Sequence, residues 1–409
     1  MLDDSVALAL TLINVPCPTL RYHHPLREDV SNLRRALTLS LLWIGISVTC
    51  MGCITLPRTP FTQAEQMLAS PPGFGQVRYA ADSDNLALML RTSLKPSVKG
   101  DIDALAISGG GANGAYGAGL LTGWSKSGQR PEFQLITGIS AGALTAPFAF
   151  LGPTWDGELR QAIFGPKTAR LMQERGLLSL LTPGLYSRAP LEDLVRSYVT
   201  DKMITAVAAE YVKGRRLLVG TTNLDTEQLN VWDMTAIAMR GGPEARDLFA
   251  EVLIASASVP GIFPPTMITV EASGHSFSEM HVDGQTESAF FAIPQILFLA
   301  TKLPAPPFHA HLFVIINGQL ESKFMVTEDS TVPILGRALD VGSKAAIRSA
   351  ITTSAEFCQH NSCDLSISSL PAAIKDDSLD FSTAHLEKAF AAGESAATDG
   401  SAWEALPRP

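Results

Sequence analysis

Ser140 is the residue whose surroundings are best suited to covalent chemistry. It stands in Gly138-Ile139-Ser140-Ala141-Gly142, a G-x-S-x-G pattern after an apolar strand-like run and before an apolar helical one. A serine in that place sits on a sharp strand-to-helix turn. Small neighbours, Gly138 and Gly142, let the backbone pass close, and the hydroxyl projects above the sheet edge. The helix that starts there turns free N–H groups toward any negative charge that develops. A serine hydroxyl is a weak nucleophile without a base. The candidate base is Asp283, in His281-Val282-Asp283-Gly284. A free aspartate, with a pKa near 3.9, is a poor base, and burial would strengthen it.

A second glycine-rich run, Ser108-Gly109-Gly110-Gly111-Ala112-Asn113-Gly114, follows the strand-like Asp103–Ile107. Glycine amides with no side chain in the way can hold the oxyanion of a tetrahedral intermediate, and one such donor is worth about 10²–10³ in rate. Gly109, Gly111 and Gly114 also spell G-x-G-x-x-G, a phosphate cradle. That reading needs an acidic residue at the end of the second strand. Glu132 has the right count but precedes that strand.

The elements that must carry these residues alternate. Gln134–Ile139, Arg216–Gly220, Gln228–Trp232 and Leu312–Ile316 join Asp103–Ile107 as expected strands. Ala115–Ser127, the run after Ser140, Asp247–Ala257 and Ala384–Ala392 are expected helices, with shorter ones at Thr62–Ala69 and Leu86–Leu94. Strands alternating with helices imply an α/β fold with a mostly parallel sheet.

Glycine loop, serine elbow and distant Asp-Gly pair resemble the patatin-like phospholipases. Ala257-Ser258-Val259-Pro260-Gly261-Ile262-Phe263-Pro264-Pro265 is similar to that family's segment before its aspartate, and the likeness runs from about Asp101 to Leu320. The resemblance implies a three-layer α/β/α fold and a Ser–Asp dyad without histidine. Ser140 would attack a lipid ester and form an acyl-enzyme, with Asp283 as base. Gly109, Gly110, Gly111 and the Ala141 N–H would form the oxyanion hole, supported by Gly114, Gly138, Gly142 and Gly284. Two positions depart from the family pattern: Asn113 replaces a basic residue, and Gln285 stands where a small residue usually follows Gly284. They favour, as alternative, a weak or inactive lipid-binding protein on the same fold. His309, His311, His360 and His385 all follow Asp283, so chain order leaves a Ser–acid–His triad open; His281 is expected to point away from Asp283. Ile262–Pro265 is a candidate wall for an acyl-chain groove.

At 46% hydrophobic and 17% charged residues, the chain can fill a large core and is not a disordered one. The net charge of −9 disfavours a nucleic-acid partner. No His, Cys, Asp or Glu group has metal-ligand spacing, and no cofactor is expected. Cys358 and Cys363 are either a local disulfide or two thiols.

Arg34 and Arg35 precede the apolar run Ala36–Thr49, which is shorter than the roughly 20 residues of a membrane span and has signal-peptide order. It ends at Cys50-Met51-Gly52-Cys53, so Cys53 is the expected lipidated residue of an exported, membrane-anchored lipoprotein of a bacterial envelope. The long stretch before Arg34 suggests a translation start nearer Val30 or Leu33. The expected organisation is a leader and signal at 1–53, an extension at 54–100, the hydrolase core at 101–320, and a helical extension packed on it at 321–409.

Overall fold

The computed structural model describes residues 58–172, 184–291, 309–361 and 363–405. The apolar run and Cys53 lie outside these residues. The described chain opens with helix α1 (Gln63–Leu68), begun by a capping box between Thr62 and Glu65, then strand β1 (Arg78–Ala80) and helix α2 (Asp84–Ser93). The region expected as an extension is therefore partly sheet.

Strand β2 (Ile102–Ile107) is buried along most of its length, as a central parallel strand covered on both faces must be. The glycine loop follows, then helix α3 (Gly114–Lys126), strand β3 (Leu135–Gly138) and helix α4 (Ala141–Leu151). Helices α5 (Asp156–Phe164), α6 (Ala189–Tyr198) and α7 (Asp201–Tyr211) lead to strands β4 (Arg216–Asn223) and β5 (Gln228–Asp233). Helices α8 (Met234–Arg240) and α9 (Gly242–Ser256) precede a hairpin of β6 (Thr266–Ala272) and β7 (His275–Asp283). The chain then supplies β8 (Ala310–Ile316), the long helix α10 (Thr331–His360), β9 (Cys363–Ser369), helix α11 (Thr383–Asp399) and the short β10 (Glu404–Ala405).

Among the described residues the sheet has ten strands, in the order β1-β5-β4-β3-β2-β8-β9-β10, with β7 and β6 joined to it through β4. The central run β4-β3-β2-β8-β9 is parallel, and the antiparallel pairings lie outside it. One face carries the larger core, including Leu105, Ile107, Ile136 and Val219 against residues of α3, α4, α9 and α11. The other packs Ala104, Ala106, Leu218 and Val314 against α2 and α10. This is the expected three-layer α/β/α arrangement.

The segment after residue 320, expected to be helical, also adds two strands. Cys363–Ser369 extends the sheet beyond β8, and Cys358 and Cys363 form a disulfide that ties α10 to β9. Helix α11 lies so close to α3 that a Cβ on Gly119 would come 2.0 Å from the Phe390 carbonyl oxygen, and one on Gly393 would come 2.2 Å from that of Tyr116. Small residues permit this backbone contact. No described helix is long and apolar enough to cross a membrane.

Candidate active site

Ser140 stands two residues past the end of β3 and takes φ 56° and ψ −126°, a conformation L-residues rarely adopt. Such strain costs on the order of 1–3 kcal/mol and persists only when neighbours enforce it. Here the enforcing contacts are visible. The Ser140 N–H donates to Ser256 Oγ at 3.0 Å, and that hydroxyl donates to the Gly220 carbonyl at 2.7 Å. Ser256, at the end of α9, thus links the elbow to β4. The elbow glycines are required by contact. A Cβ on Gly142 would stand 2.2 Å from the Ile107 carbonyl oxygen, and one on Gly138 would stand 2.7 Å from that of Gly142. A Cβ on Gly114 would meet Ala141 Cβ at 2.9 Å, which joins the start of α3 to the elbow.

Asp283 ends β7, pairs with Thr221 of β4, and is 1% exposed. Its N–H donates to the Ser258 carbonyl at 2.9 Å. Carboxyl Oδ1 accepts the Gln285 N–H at 2.8 Å. Oδ2 is buried without a hydrogen-bond partner. Burial pushes the Asp283 pKa up to about 7, and the Ser140 hydroxyl and Gln285 N–H pull against that rise. The serine is thus near enough to influence the carboxyl, while Oδ2 still lacks a closed bond. Catalytic hydrogen bonds often tighten only when substrate arrives. The structure brings Ser140 and Asp283 together, with a carboxyl whose pKa lies near neutral pH.

Gly109 lies against the serine: a Cβ there would come 2.9 Å from Ser140 Cβ. Gly110 and Gly111 have φ of 153° and 56°. They press on the backbone of Asn317 and Ser378, where a Cβ would collide at 2.0 and 2.1 Å. Asn317, just past β8, fixes the loop from behind. Its N–H donates to Ser108 Oγ, its Nδ2 donates to the Ser108 carbonyl, and its Oδ1 accepts the Gly117 N–H. Asn113 is braced as well. Its Nδ2 donates to Asp376 Oδ1 at 2.8 Å, and its Oδ1 accepts from His385 Nε2 at 2.9 Å. Lys344 of α10 lies 3.0 Å from Asp376 Oδ2. A neutral amide and a paired lysine thus stand in the region of the basic residue that the resemblance implies.

Gln285 is the second departure, and its side chain enters the site. A Cβ on Gly109 would come 2.2 Å from Gln285 Oε1, so the carboxamide lies against the glycine loop beside Ser140. Its Nε2 donates to Ser343 Oγ of α10 at 2.8 Å. Ala141 and Gly142 open α4 beneath the serine, and a Cβ on Gly284 would meet the Gly220 carbonyl oxygen at 2.6 Å.

The described histidines find other partners. His281 Nδ1 bonds Thr221 Oγ1 and its Nε2 bonds Glu279, which in turn pairs with Arg78. His309 and His311 stand by Asp364, His360 bonds the Glu356 carbonyl, and His385 holds Asn113. None is among the groups that shift Asp283. Glu132 lies 3.3 Å from Arg215, away from the glycine loop. Nothing in this arrangement favours a triad or a dinucleotide cradle.

A cavity of about 60 Å³ begins at Gly111, Gly114 and Ala141 and is otherwise mostly apolar, with Leu144, Ile163 and Leu171 in its wall. Ile262–Pro265, the expected groove wall, does not line it. That segment instead pairs with Leu185 and Tyr186, whose N–H groups donate to the Gly261 and Ile262 carbonyls. Sequence reasoning also missed Ser256, Asn317, Asp376 and Ser343, because each acts across a long chain separation with no motif of its own.

Fold and site together define a three-layer α/β/α protein with a serine elbow facing a buried aspartate. Residues 105–292 match the patatin-like phospholipase family model. Among solved structures it is similar to VipD from Legionella pneumophila, at 12% identity and TM-score 0.36, over 76% of this chain and 70% of that one. It is also similar to human GIVD cytosolic phospholipase A2, at 12% identity and TM-score 0.30, over 59% and 49% of the two chains. For the type III effector protein ExoU the values are 14% and 0.24, over 73% and 52%. The chain thus spans about half the length of the last two. No curated protein matches it.

Proposed function

We propose that the protein is a serine acyl hydrolase that cleaves lipid esters through a Ser140–Asp283 dyad. The observation that carries this reading is the pairing of a strained, positive-φ serine with a fully buried carboxyl whose pKa lies near 7. In the ionised form, Asp283 accepts the hydroxyl proton as Ser140 Oγ attacks the ester carbonyl. The C=O π pair moves onto oxygen, where amides of Gly109–Gly111 and Ala141 hold it. Collapse expels the alcohol, which takes the proton back from Asp283, and leaves an acyl-enzyme. Water then attacks the acyl carbon while Asp283 accepts its proton. Collapse of this second adduct releases the fatty acid, and Ser140 regains a proton from Asp283. The apolar cavity beside Gly111 and Ala141 would receive the start of an acyl chain.

A fluorophosphonate probe, with wild type and Ser140→Ala compared on a panel of lipid esters, tests the proposal. Labelling at Ser140, and turnover that Ser140→Ala abolishes while the protein stays folded, are expected. A folded wild type that neither labels nor cleaves any ester would sink it. The Gln285 carboxamide against Gly109 favours a second reading, a lipid-binding protein of little activity. Saturable lipid binding with no turnover would select that one.

The charged-then-apolar order before Gly52-Cys53 supports export and lipidation at Cys53, which would place the enzyme at a membrane surface. Metabolic labelling with a tagged fatty acid should mark wild type and not Cys53→Ser. Equal labelling of both removes the anchor.

A further inference from the structure

A second cluster of chemistry-bearing side chains lies at the other end of the sheet. His309 and His311 are two residues apart on extended chain at the start of β8, so their side chains share a face. The His309 carbonyl accepts the Ile102 N–H at 2.9 Å, which continues the strand pairing to that residue. The parallel register sets His311 opposite Asp364 of β9. His309 Nε2 lies 2.8 Å from Asp364 Oδ2, and His311 Nδ1 lies 3.8 Å from the same oxygen. One donor atom from each of the three residues falls within 4.8 Å of the others. Ligands about 2.0–2.1 Å from a tetrahedral ion are themselves about 3.4 Å apart, so these separations need little adjustment to close on one. The three side chains are partly exposed, which leaves an ion a path in. Asp103 flanks His311 on its other side, across the β2–β8 register, and adds an oxygen donor on that face.

We propose that His309, His311 and Asp364 form a binding site for a divalent transition-metal ion, with zinc the best fit. Two imidazoles and one carboxylate suit zinc, cobalt, nickel or copper, and disfavour calcium and magnesium, which take oxygen ligands. Water or Asp103 completes the shell. The site joins β8 to β9 at the N-terminal ends of the strands, next to the disulfide at Cys363. Ser140 follows the C-terminal end of β3, which runs parallel to β2 and β8, so the metal lies at the opposite edge from the ester chemistry. Its role is structural: one ion clamps β8 to β9 where their first residues already meet through His309 and Asp364. Sequence spacing conceals the site because the carboxylate comes from the next strand, beyond α10.

The test uses the full chain. Equilibrium dialysis against zinc chloride, with metal counted per chain, should show that His309→Ala and His311→Ala each hold one equivalent fewer than wild type, or bind it at least about tenfold more weakly. Asp364→Asn, which keeps shape and hydrogen bonding, should weaken binding similarly. Zinc should raise the melting temperature of wild type and not of these variants. Cobalt(II) should give the visible bands of a tetrahedral nitrogen–oxygen site. A stoichiometry and affinity unchanged in both histidine variants overturns the proposal. So does a cobalt spectrum dominated by thiolate charge transfer, which would place the ion on the cysteines, or equal binding of calcium. Circular dichroism of each variant separates lost metal from lost fold, and Asp364→Asn serves if a histidine variant does not fold.

Discussion

Replacing Asp283 by Asn should abolish ester cleavage and make the protein more stable above neutral pH. The Asp283 pKa is raised from 3.8 to about 7, chiefly by burial. Between those values the folded chain retains a proton that the unfolded chain has released. The unfolded state therefore binds fewer protons, and folding stability falls as pH rises through this window. About three pH units at 1.36 kcal/mol each gives about 4 kcal/mol of destabilisation once both states are ionised. Asparagine has nearly the same shape and never carries the charge. Urea unfolding of wild type and Asp283→Asn, compared from about pH 4.5 to about pH 8, should show a gap that opens with rising pH. The variant should be ahead by up to about 4 kcal/mol at the alkaline end. Parallel stability curves across that range would refute a carboxyl held out of water next to the serine.

The same displaced pKa predicts that the wild-type kcat/KM rises with pH up to about 7, where Asp283 ionises, and levels off above it. Gly142→Ala should destabilise the fold by about 2 kcal/mol or more, read from its melting temperature, because the added methyl would stand 2.2 Å from the Ile107 carbonyl oxygen. Gln285→Ala should raise kcat/KM on a soluble ester. Freeing the carboxamide from Ser343 in wild type breaks one hydrogen bond of 2.8 Å, worth about 1 kcal/mol, or about fivefold in the open population. An unchanged or lower rate would mean that Gln285 does not obstruct the site.

The parts of the site that were legible in sequence are those whose geometry is enforced over a few residues. Glycines at 138 and 142 announce the elbow because a Cβ at either collides with backbone. The run Gly109–Gly111 announces a loop with backbone torsions that other residues avoid. The central strands were readable because burial on both faces makes them continuous apolar runs. Other elements gave weaker signals. β6 alternates buried and exposed residues but begins with Thr266, and β9 is built of alternating Ser, Asp and apolar residues. In α10, Pro333, Gly336 and Gly342 interrupt the helical pattern near its start, yet the helix runs to His360. Contacts such as Asn113 with Asp376, or Gln285 with Ser343, depend on how distant segments pack, and no local pattern encodes them.

The order of strands has a consequence for anyone wishing to isolate the catalytic part. Its two chemical loops follow β2 and β3, yet the neighbour of β2 on one side is β8, which enters only at Ala310. An excised fragment spanning 105–292 would carry the serine and the aspartate but leave one flank of β2 with its amides and carbonyls bare. Such a rim is a template for intermolecular strand addition. The enzyme is thus not a portable cassette, and fragments cut at that boundary should precipitate before they can be assayed.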